Sequence, residues 1–450
     1  MFKSYVRWKL ERYVKKYFKK HHPKLIVVTG SVGKTGTKTA IATVLSTKFR
    51  VQMEPTNHNS VFSVPLGVMG ISYPPPELIK KIGTWRKIFK AMRKRIKWPT
   101  GVDVIVQELG TDHPGEIAHF GKYLKPDIAV VTAVCPEHMA NFPNGLVDVA
   151  KEELTVASYS KLTAVNHDDI SGDFARFAET TNITDYGLEG GEYRFQIVGG
   201  DPLNGYEIRF FAPEFGGASV EKPELQSMDK AVSATVHLVG EHSLKSAVAA
   251  AMIGAKMGMM ADEVSKALDE IRPVPGRMNL LRGVRDSTII DDTYNSSPDA
   301  ATAALTTLYK INADQRIAIL GDMNELGDFS AEAHKKVGET CDPNMLEWVI
   351  TIGPESARYL APAARARGNQ VMTFPGPILA GAFANKVLKP KGVVLVKGSQ
   401  DNVFAEEAVR VLLHSDVDQD QELVRQSPDW MKKKNVWLQS LRGFDDAGTE

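Results

Sequence analysis

The sequence predicts an α/β protein in which a central domain, built on a mostly parallel sheet with an antiparallel excursion, is followed by a Rossmann-like C-terminal domain. Three observations predict it. Short apolar runs of strand length alternate with helical stretches, the pattern of a parallel sheet covered by helices. The first such run, KLIVVTG (24–30), enters a glycine-rich turn that opens onto a helical stretch. The alternation breaks at RPVPGRM (272–278), where two prolines and a glycine mark a hinge or linker, and begins again beyond it.

In chain order, residues 1–24 form a basic segment in which Phe2, Val6, Leu10, Tyr13, Val14, Tyr17 and Phe18 recur at three- and four-residue spacing, predicting an amphipathic helix. The central domain is expected over 25–273. It starts with KLIVVTG and the helix TKTAIATVLSTKF (37–49), and continues through the strand-like runs VDVIVQELG (102–110), PDIAVVTAV (126–134) and KLTAVNHDD (161–169). From about Asn182 to Val239 the texture shifts to short alternating segments such as EYRFQIVGG and YEIRFFAPE, as expected of antiparallel strands. EHSLKSAVAAAMIGAKMG (241–258) restores a helical pattern. Beyond the linker, STIIDDTY, QRIAILGDM, EWVITIG and GVVLVKGS supply a second set of strands, expected as a Rossmann-like domain over 274–416. Residues 417–450 read as a polar, loosely packed tail.

Composition narrows the function classes. With 450 residues, 43% of them hydrophobic and 24% charged, the chain is long enough for two or three domains, each with its own core. The longest apolar stretches are strand-sized, far short of the roughly 20 residues that span a bilayer. The N-terminal segment lacks a signal-peptide apolar core, and the two cysteines, Cys135 and Cys341, are far apart, which excludes a disulfide framework or a cysteine zinc site. A reducing cytoplasm is the expected location. The net charge of +1 conceals an asymmetry: Met1 to Lys24 carry nine Lys/Arg against one acid, and Pro76 to Trp98 nine against one. In the second basic segment Trp85, Ile88, Phe89, Met92 and Ile96 form another helical stripe. Two basic amphipathic helices over 1–22 and 80–98 are expected either to lie on an anionic membrane surface or to pack on the protein itself.

The strongest local motif is Thr29-Gly30-Ser31-Val32-Gly33-Lys34-Thr35, placed between a strand and a helix. Its backbone N–H groups suit a polyphosphate, Lys34 the terminal phosphates and the Thr35 hydroxyl a Mg²⁺ ion. Valine occupies position 28, where the general P-loop pattern has a glycine, so a tight strand-to-helix turn is the alternative reading. Further strand ends carry QELGTDHPGEI (107–117), CPEHMANF (135–142), AKEEL (150–154), VPGRM (274–278), DDTYNSSPDA (291–300), GDMNELG (321–327) with His334, and LVKGSQ (395–400). Together and in this order, over roughly Lys24 to Leu413, these motifs resemble those of the Mur ligase family, in its D-alanyl-D-alanine-adding (MurF) branch.

The resemblance implies an ATP-dependent amide ligase of peptidoglycan biosynthesis. The ATP γ-phosphoryl group would pass to a precursor-peptide carboxylate, and the amine of D-alanyl-D-alanine would attack the resulting acyl phosphate. It implies that Gly30 to Thr35 hold ATP, that Thr35, Glu108, His138 and Lys151 serve Mg²⁺, expected as two ions, and that Lys151 is carbamylated. Read alone, Lys151 is a surface helix lysine and His138 a polar loop residue. Arg277 is implied at the phosphates, Asp292, Tyr294 and Asn295 at the ribose and base, and Asn59, Asp112, His113, Lys397 and Ser399 on the substrate side. An arginine on the linker suits domain closure, which would bring its charge to the acyl phosphate.

Departures from the family pattern cluster on recognition. Only about 24 residues precede the P-loop, where the branch carries a domain for the UDP-sugar end of its substrate. Ser243 and Ser246 replace both asparagines of the HN-x-x-N-A motif, and Gln400 stands where arginine is usual. A lipid-linked precursor is therefore the alternative carboxylate. A nucleic-acid-binding NTPase is the reading from another class, prompted by the basic segments, but no helicase or RNA-binding motif accompanies them, so no nucleic acid is expected.

Overall fold

The computed structural model describes residues 2–55, 58–98, 101–136, 141–178, 182–216, 231–415 and 423–445. It comprises two compact units, one of residues 1–199, 206–237 and 243–272, the other of 200–205, 238–242 and 273–450.

The first unit opens with α1 (Phe2–His21) and β1 (Lys24–Thr29), followed by α2 (Lys34–Ser46), β2 (Val51–Met53), α3 (Ile82–Lys97), β3 (Val104–Glu108) and β4 (Ile128–Val131). Then come α4 (Leu146–Leu154), β5 (Leu162–Asn166), β6 (Ile183–Gly187), β7 (Tyr193–Asp201), β8 (Gly205–Phe211), β9 (Val232–Val236), α5 (Glu241–Lys256) and α6 (Ala261–Asp269). The strands form one sheet in the order β2-β3-β1-β4-β5-β6-β7-β8-β9. β1 is buried along Leu25 to Thr29, so an uninterrupted apolar run replaces the alternation of a half-exposed strand. It lies between β3 and β4, parallel to both, with Val28 opposite Glu108 and Thr29 opposite Val131. The loops after β1, β3 and β4 therefore leave the same carboxyl edge, where open α/β sheets place their ligands.

The extent of the antiparallel excursion is corrected here, and of the two alternatives for the basic helices the apolar stripes take the packed one. The sheet stays parallel through β7, since β6 pairs in parallel with both β5 and β7, and the antiparallel pairing described is that of β8 with β9. The excursion is thus shorter than the change in texture suggests and continues the same sheet. The apolar stripes of α1 and α3 pack on the protein: Val6, Leu10, Val14 and Tyr17 join Trp85, Ile88, Phe89 and Met92 in one core. Tyr13 meets Phe89 edge-on, and the end of α1 lies beside the end of α3, with Lys20 donating to the Lys97 carbonyl at 2.9 Å. These stripes cannot face lipid.

The second unit contains β10 (Asn279–Arg282), β11 (Thr288–Asp292), α7 (Pro298–Lys310), β12 (Arg316–Gly321), α8 (Ser330–Thr340), β13 (Trp348–Ile352), β14 (Val371–Phe374), α9 (Pro377–Val387), β15 (Val393–Lys397) and α10 (Glu406–Leu412). Its sheet runs β10-β11-β15-β12-β13-β14, with β10 antiparallel and the rest parallel. Asp292 pairs in register with Lys397, so DDTYN and LVKGS end side by side. Residues 423–445 are not a loose tail: they include α11 (Pro428–Asp445), whose Trp430 and Trp437 pack against buried Phe404.

Candidate active site

In the first unit the loop Thr29–Thr35 is fixed from three sides. Gly30, at φ 124°, approaches β4 so closely that a Cβ there would collide with Thr132 Oγ1 and the Thr132 and Ala133 backbone nitrogens; only glycine fits. Thr132 Oγ1 donates to the Thr29 carbonyl at 3.0 Å and the Val32 carbonyl at 2.6 Å, and Ser31 N donates to the Ala133 carbonyl. From α4, the buried Glu153 carboxylate accepts from Thr29 Oγ1 and from Gly30 N at 2.9 Å. Lys34 Nζ lies on the loop, donating to the Gly30 and Ser31 carbonyls.

Glu108, 2% exposed at the end of β3, is where several groups converge. Thr35 Oγ1 donates to its Oε2 and Asn59 Nδ2 to its Oε1, each at 2.9 Å. Lys38, itself buried, holds its ammonium 3.7 Å from Oε2 and donates to the Glu54 carbonyl at 2.9 Å. Thr35 and Lys38 are three apart on α2 and so share a face. Lys38 escaped the motif reading, although this spacing after the P-loop threonine was a usable signal. Glu153 escaped it too, because the AKEEL motif drew attention to its lysine.

Lys151 sits elsewhere. Two residues before Glu153, it lies about 200° round the helix and is exposed, with its ammonium 5.5 Å from the Phe177 ring centre. No contact joins it to Thr35 or Glu108 among the described residues. Glu152 is buried and holds the next loop, accepting from Thr111 Oγ1, Gly115 N and Ile117 N, so exposed Asp112 and His113 stand on a braced turn. His138 lies outside the described residues.

Mg²⁺ takes oxygen ligands and often only one or two carboxylates, with substrate oxygens completing its shell. The Thr35 hydroxyl beside the Glu108 carboxylate fits that donor set. No group of three or more His, Cys, Asp or Glu side chains able to hold a metal occurs among the described residues.

In the second unit Lys397 Nζ donates to Asp292 Oδ2 at 2.6 Å and to the Asn295 carbonyl at 2.9 Å, which ties together the two strand ends. Asp292 Oδ1 accepts from Met278 N. The Arg277 guanidinium stacks 4.0 Å from the centre of the Tyr294 ring, and Tyr294 N donates to the Gly276 carbonyl. Ser399 Oγ accepts from Asn324 N at 2.9 Å. His334 Nε2 accepts from Met323 N, so that histidine shapes the GDM turn. Asp291, wholly buried, accepts from Gly276 N and from Thr293 N and Oγ1, yet burial pushes its carboxyl up to about 7.

Both halves match known families. The Mur ligase middle domain matches residues 28–254, and the Mur ligase glutamate ligase domain matches residues 276–400. The chain belongs to the Mur ligase family. Among relatives, it is 25% identical over 357 residues to the UDP-N-acetylmuramoyl-tripeptide--D-alanyl-D-alanine ligase of Bacillus subtilis, covering 76% of this chain and 66% of the relative. It is 25% identical over 388 residues to the enzyme of the same name from Haemophilus influenzae, covering 85% and 75%. The chain thus spans about two thirds to three quarters of the length of these curated relatives. In fold it is similar to MurF from Acinetobacter baumannii, with a TM-score of 0.71 at 21% identity over 90% of this chain and 79% of that one. MurF from Thermotoga maritima, solved in complex with ADP, gives 0.69 at 21% identity over 90% and 83%. Within this Mur ligase the P-loop, Glu108 and the Asp292–Lys397 pair all stand at carboxyl edges of parallel sheets.

Proposed function

We propose that the chain is an ATP-dependent amide ligase that joins D-alanyl-D-alanine to the terminal carboxylate of a peptidoglycan precursor tripeptide. The observation that carries this reading is the P-loop with Thr35 and Lys38 gathered on buried Glu108. The relatives named for this reaction support it. ATP is assigned to Gly30–Thr35, with Arg277, Asp292, Tyr294 and Asn295 also proposed to meet the nucleotide. Backbone N–H groups of the loop would orient the phosphates, and Lys34 would leave its loop carbonyls for the terminal phosphate. The peptide carboxylate oxygen attacks the γ-phosphorus and ADP departs. The amine then attacks the acyl carbon, phosphate leaves with that carboxylate oxygen, and the amine gives up a proton. Asn59, Asp112, His113, Lys397 and Ser399 are the proposed substrate-side residues.

Thr35 and Glu108 would hold Mg²⁺, which when bound offsets the charge of a carboxylate meeting a triphosphate. A second ion is assigned to His138 and carbamylated Lys151; the exposed Lys151 amine is open to CO₂, and carbamylation would turn a repelling cation into an anionic ligand. The proposed location is the cytoplasm. No helix of the described residues is long and apolar enough to cross a membrane. Peripheral contact with an anionic inner surface is proposed through the outer faces of α1 and α3 instead of their buried stripes. Tyr5, Trp8 and Trp98 are exposed there beside the solvent-facing lysines and arginines.

The test is ATP-dependent phosphate release across UDP-linked and lipid-linked tripeptides, each with and without D-alanyl-D-alanine. Release should require both the peptide and the dipeptide, and the better peptide identifies the carrier. Release that needs neither, or that follows added nucleic acid, overturns the reading.

A further inference from the structure

The segment after residue 422 reaches back to the loop that carries Tyr294. Arg425, 8% exposed, adopts a left-handed backbone at φ 57°. Its guanidinium donates through Nε and Nη2 to the Glu406 carboxylate, through Nη1 to the Tyr294 carbonyl at 2.9 Å and through Nη2 to the Thr293 carbonyl at 2.6 Å. Lys434, on α11 and 1% exposed, pairs with Glu406 at 2.9 Å and Glu407 at 2.7 Å. Two buried cations thus face two buried carboxylates. The residue before Arg425 completes the contact: a Cβ on Gly276, at φ 69°, would meet Val424 Cγ1 at 2.7 Å and Tyr294 N at 3.2 Å. The VPGRM turn, the DDTYN loop and the C-terminal segment therefore meet at one point.

We infer that Arg425 is a positioning residue of the proposed ligase: it fixes the backbone of Thr293 and Tyr294 and, through the Tyr294 ring, sets the guanidinium of Arg277. This rests on the ligase reading for its functional consequence. The geometry requires arginine. Binding one carboxylate with two donors while reaching two carbonyls uses a planar fork that a lysine ammonium lacks. The ion network of Arg425, Glu406, Lys434 and Glu407, joined by Arg410 at Glu407, holds the fork in place, and a left-handed, non-glycine backbone persists where its surroundings over-determine it. Residues 423–445 thereby act as a clamp on the nucleotide-side loop.

The test uses the full chain with Arg425→Lys, which keeps the charge opposite Glu406 and loses the carbonyl clamp. Arg425→Met/Glu406→Gln removes one charge of each sign and leaves the Lys434–Glu407 pair, a second route to a folded variant. Amide hydrogen exchange should quicken about tenfold in a peptide covering 291–295, the factor worth roughly one net hydrogen bond, and stay unchanged in β12 and β13. The KM for ATP should rise by a similar factor. Combining Arg425→Lys with Arg277→Ala should lower ligation no further than Arg277→Ala alone, because both act through the same contact. Unchanged exchange at 291–295 in either folded variant, or fully additive losses with Arg277→Ala, overturns the inference. If the wild-type chain ligates nothing, the ligase reading fails by itself, and exchange still decides whether Arg425 holds the loop.

Discussion

Lys38 is an unusual residue for a helix surface: its ammonium is buried beside the carboxylate proposed to receive Mg²⁺. Replacing it with methionine leaves Glu108 buried without its cation, a type of loss that destabilises by about 3–5 kcal/mol. Lys38→Met should therefore unfold at lower denaturant concentration, and added Mg²⁺ should stabilise it more than wild type. Equal midpoints with and without the substitution would show that the pair does not stabilise the fold. Lys34→Ala differs, because Lys34 is half-buried and its ammonium lies on the Gly30 and Ser31 carbonyls of the loop. It should keep its midpoint and lose on the order of 10²–10³ in kcat, as for one group that stabilises transition-state charge. Near-normal turnover would take the P-loop lysine out of the mechanism. Asp291 gives a pH signature. Burial lifts its carboxyl in the folded chain from the ordinary 3.8 to about 7, so the native state binds the extra proton, and this contribution to stability is lost as pH rises from about 4 to about 7. The stability of Asp291→Asn relative to wild type should climb across that window and level off above it. A pH-independent difference would show that burial does not raise this carboxyl. Motif reading singled out Lys34 and Thr35 because the P-loop pattern is local, and Glu108 because it ends a buried strand in a motif of its own. It missed Lys38, Glu153 and Arg425 because a lone charged residue reads as solvated until packing reveals its partner.

At the scale of elements, periodicity placed the apolar stripes of α1 and α3 correctly but could not say what covers them. A stripe suited to lipid is equally suited to a protein core, and here the core takes it: Leu10 and Val14 are fully buried. Leu10→Ala should cost about 2–5 kcal/mol of stability. Trp8→Ser, on the exposed side, should stay within about 0.5 kcal/mol while weakening sedimentation with anionic vesicles. Vesicle binding untouched by Trp8→Ser and insensitive to salt would exclude the outer face as the proposed contact. The parallel strands were legible because each is a continuous apolar run ending in glycine or a polar residue. The start of the antiparallel pairing was not, since β6 is a short, mixed run that pairs in parallel with both β5 and β7.

For the molecule as a whole, two parallel-rich sheets each carry their proposed site residues at a carboxyl edge, the P-loop and Glu108 on one, Asp292, Tyr294 and Lys397 on the other. That architecture follows from the order of strands and helices, and the sequence displays it because each repeat of strand, loop and helix carries its own punctuation. The buried Arg425–Glu406–Lys434 network that anchors the last helix was not legible, because its partners lie about twenty to thirty residues apart with no motif to join them. The proposed reaction is transfer of a phosphoryl group to a peptide carboxylate followed by amide formation. It is tested most directly by labelling the tripeptide's terminal carboxylate with ¹⁸O and analysing the phosphate released during ligation with ATP, Mg²⁺ and D-alanyl-D-alanine. One ¹⁸O atom is expected in each phosphate, with ADP as the nucleotide product. Unlabelled phosphate alongside amide product, or release of AMP and pyrophosphate, would contradict it.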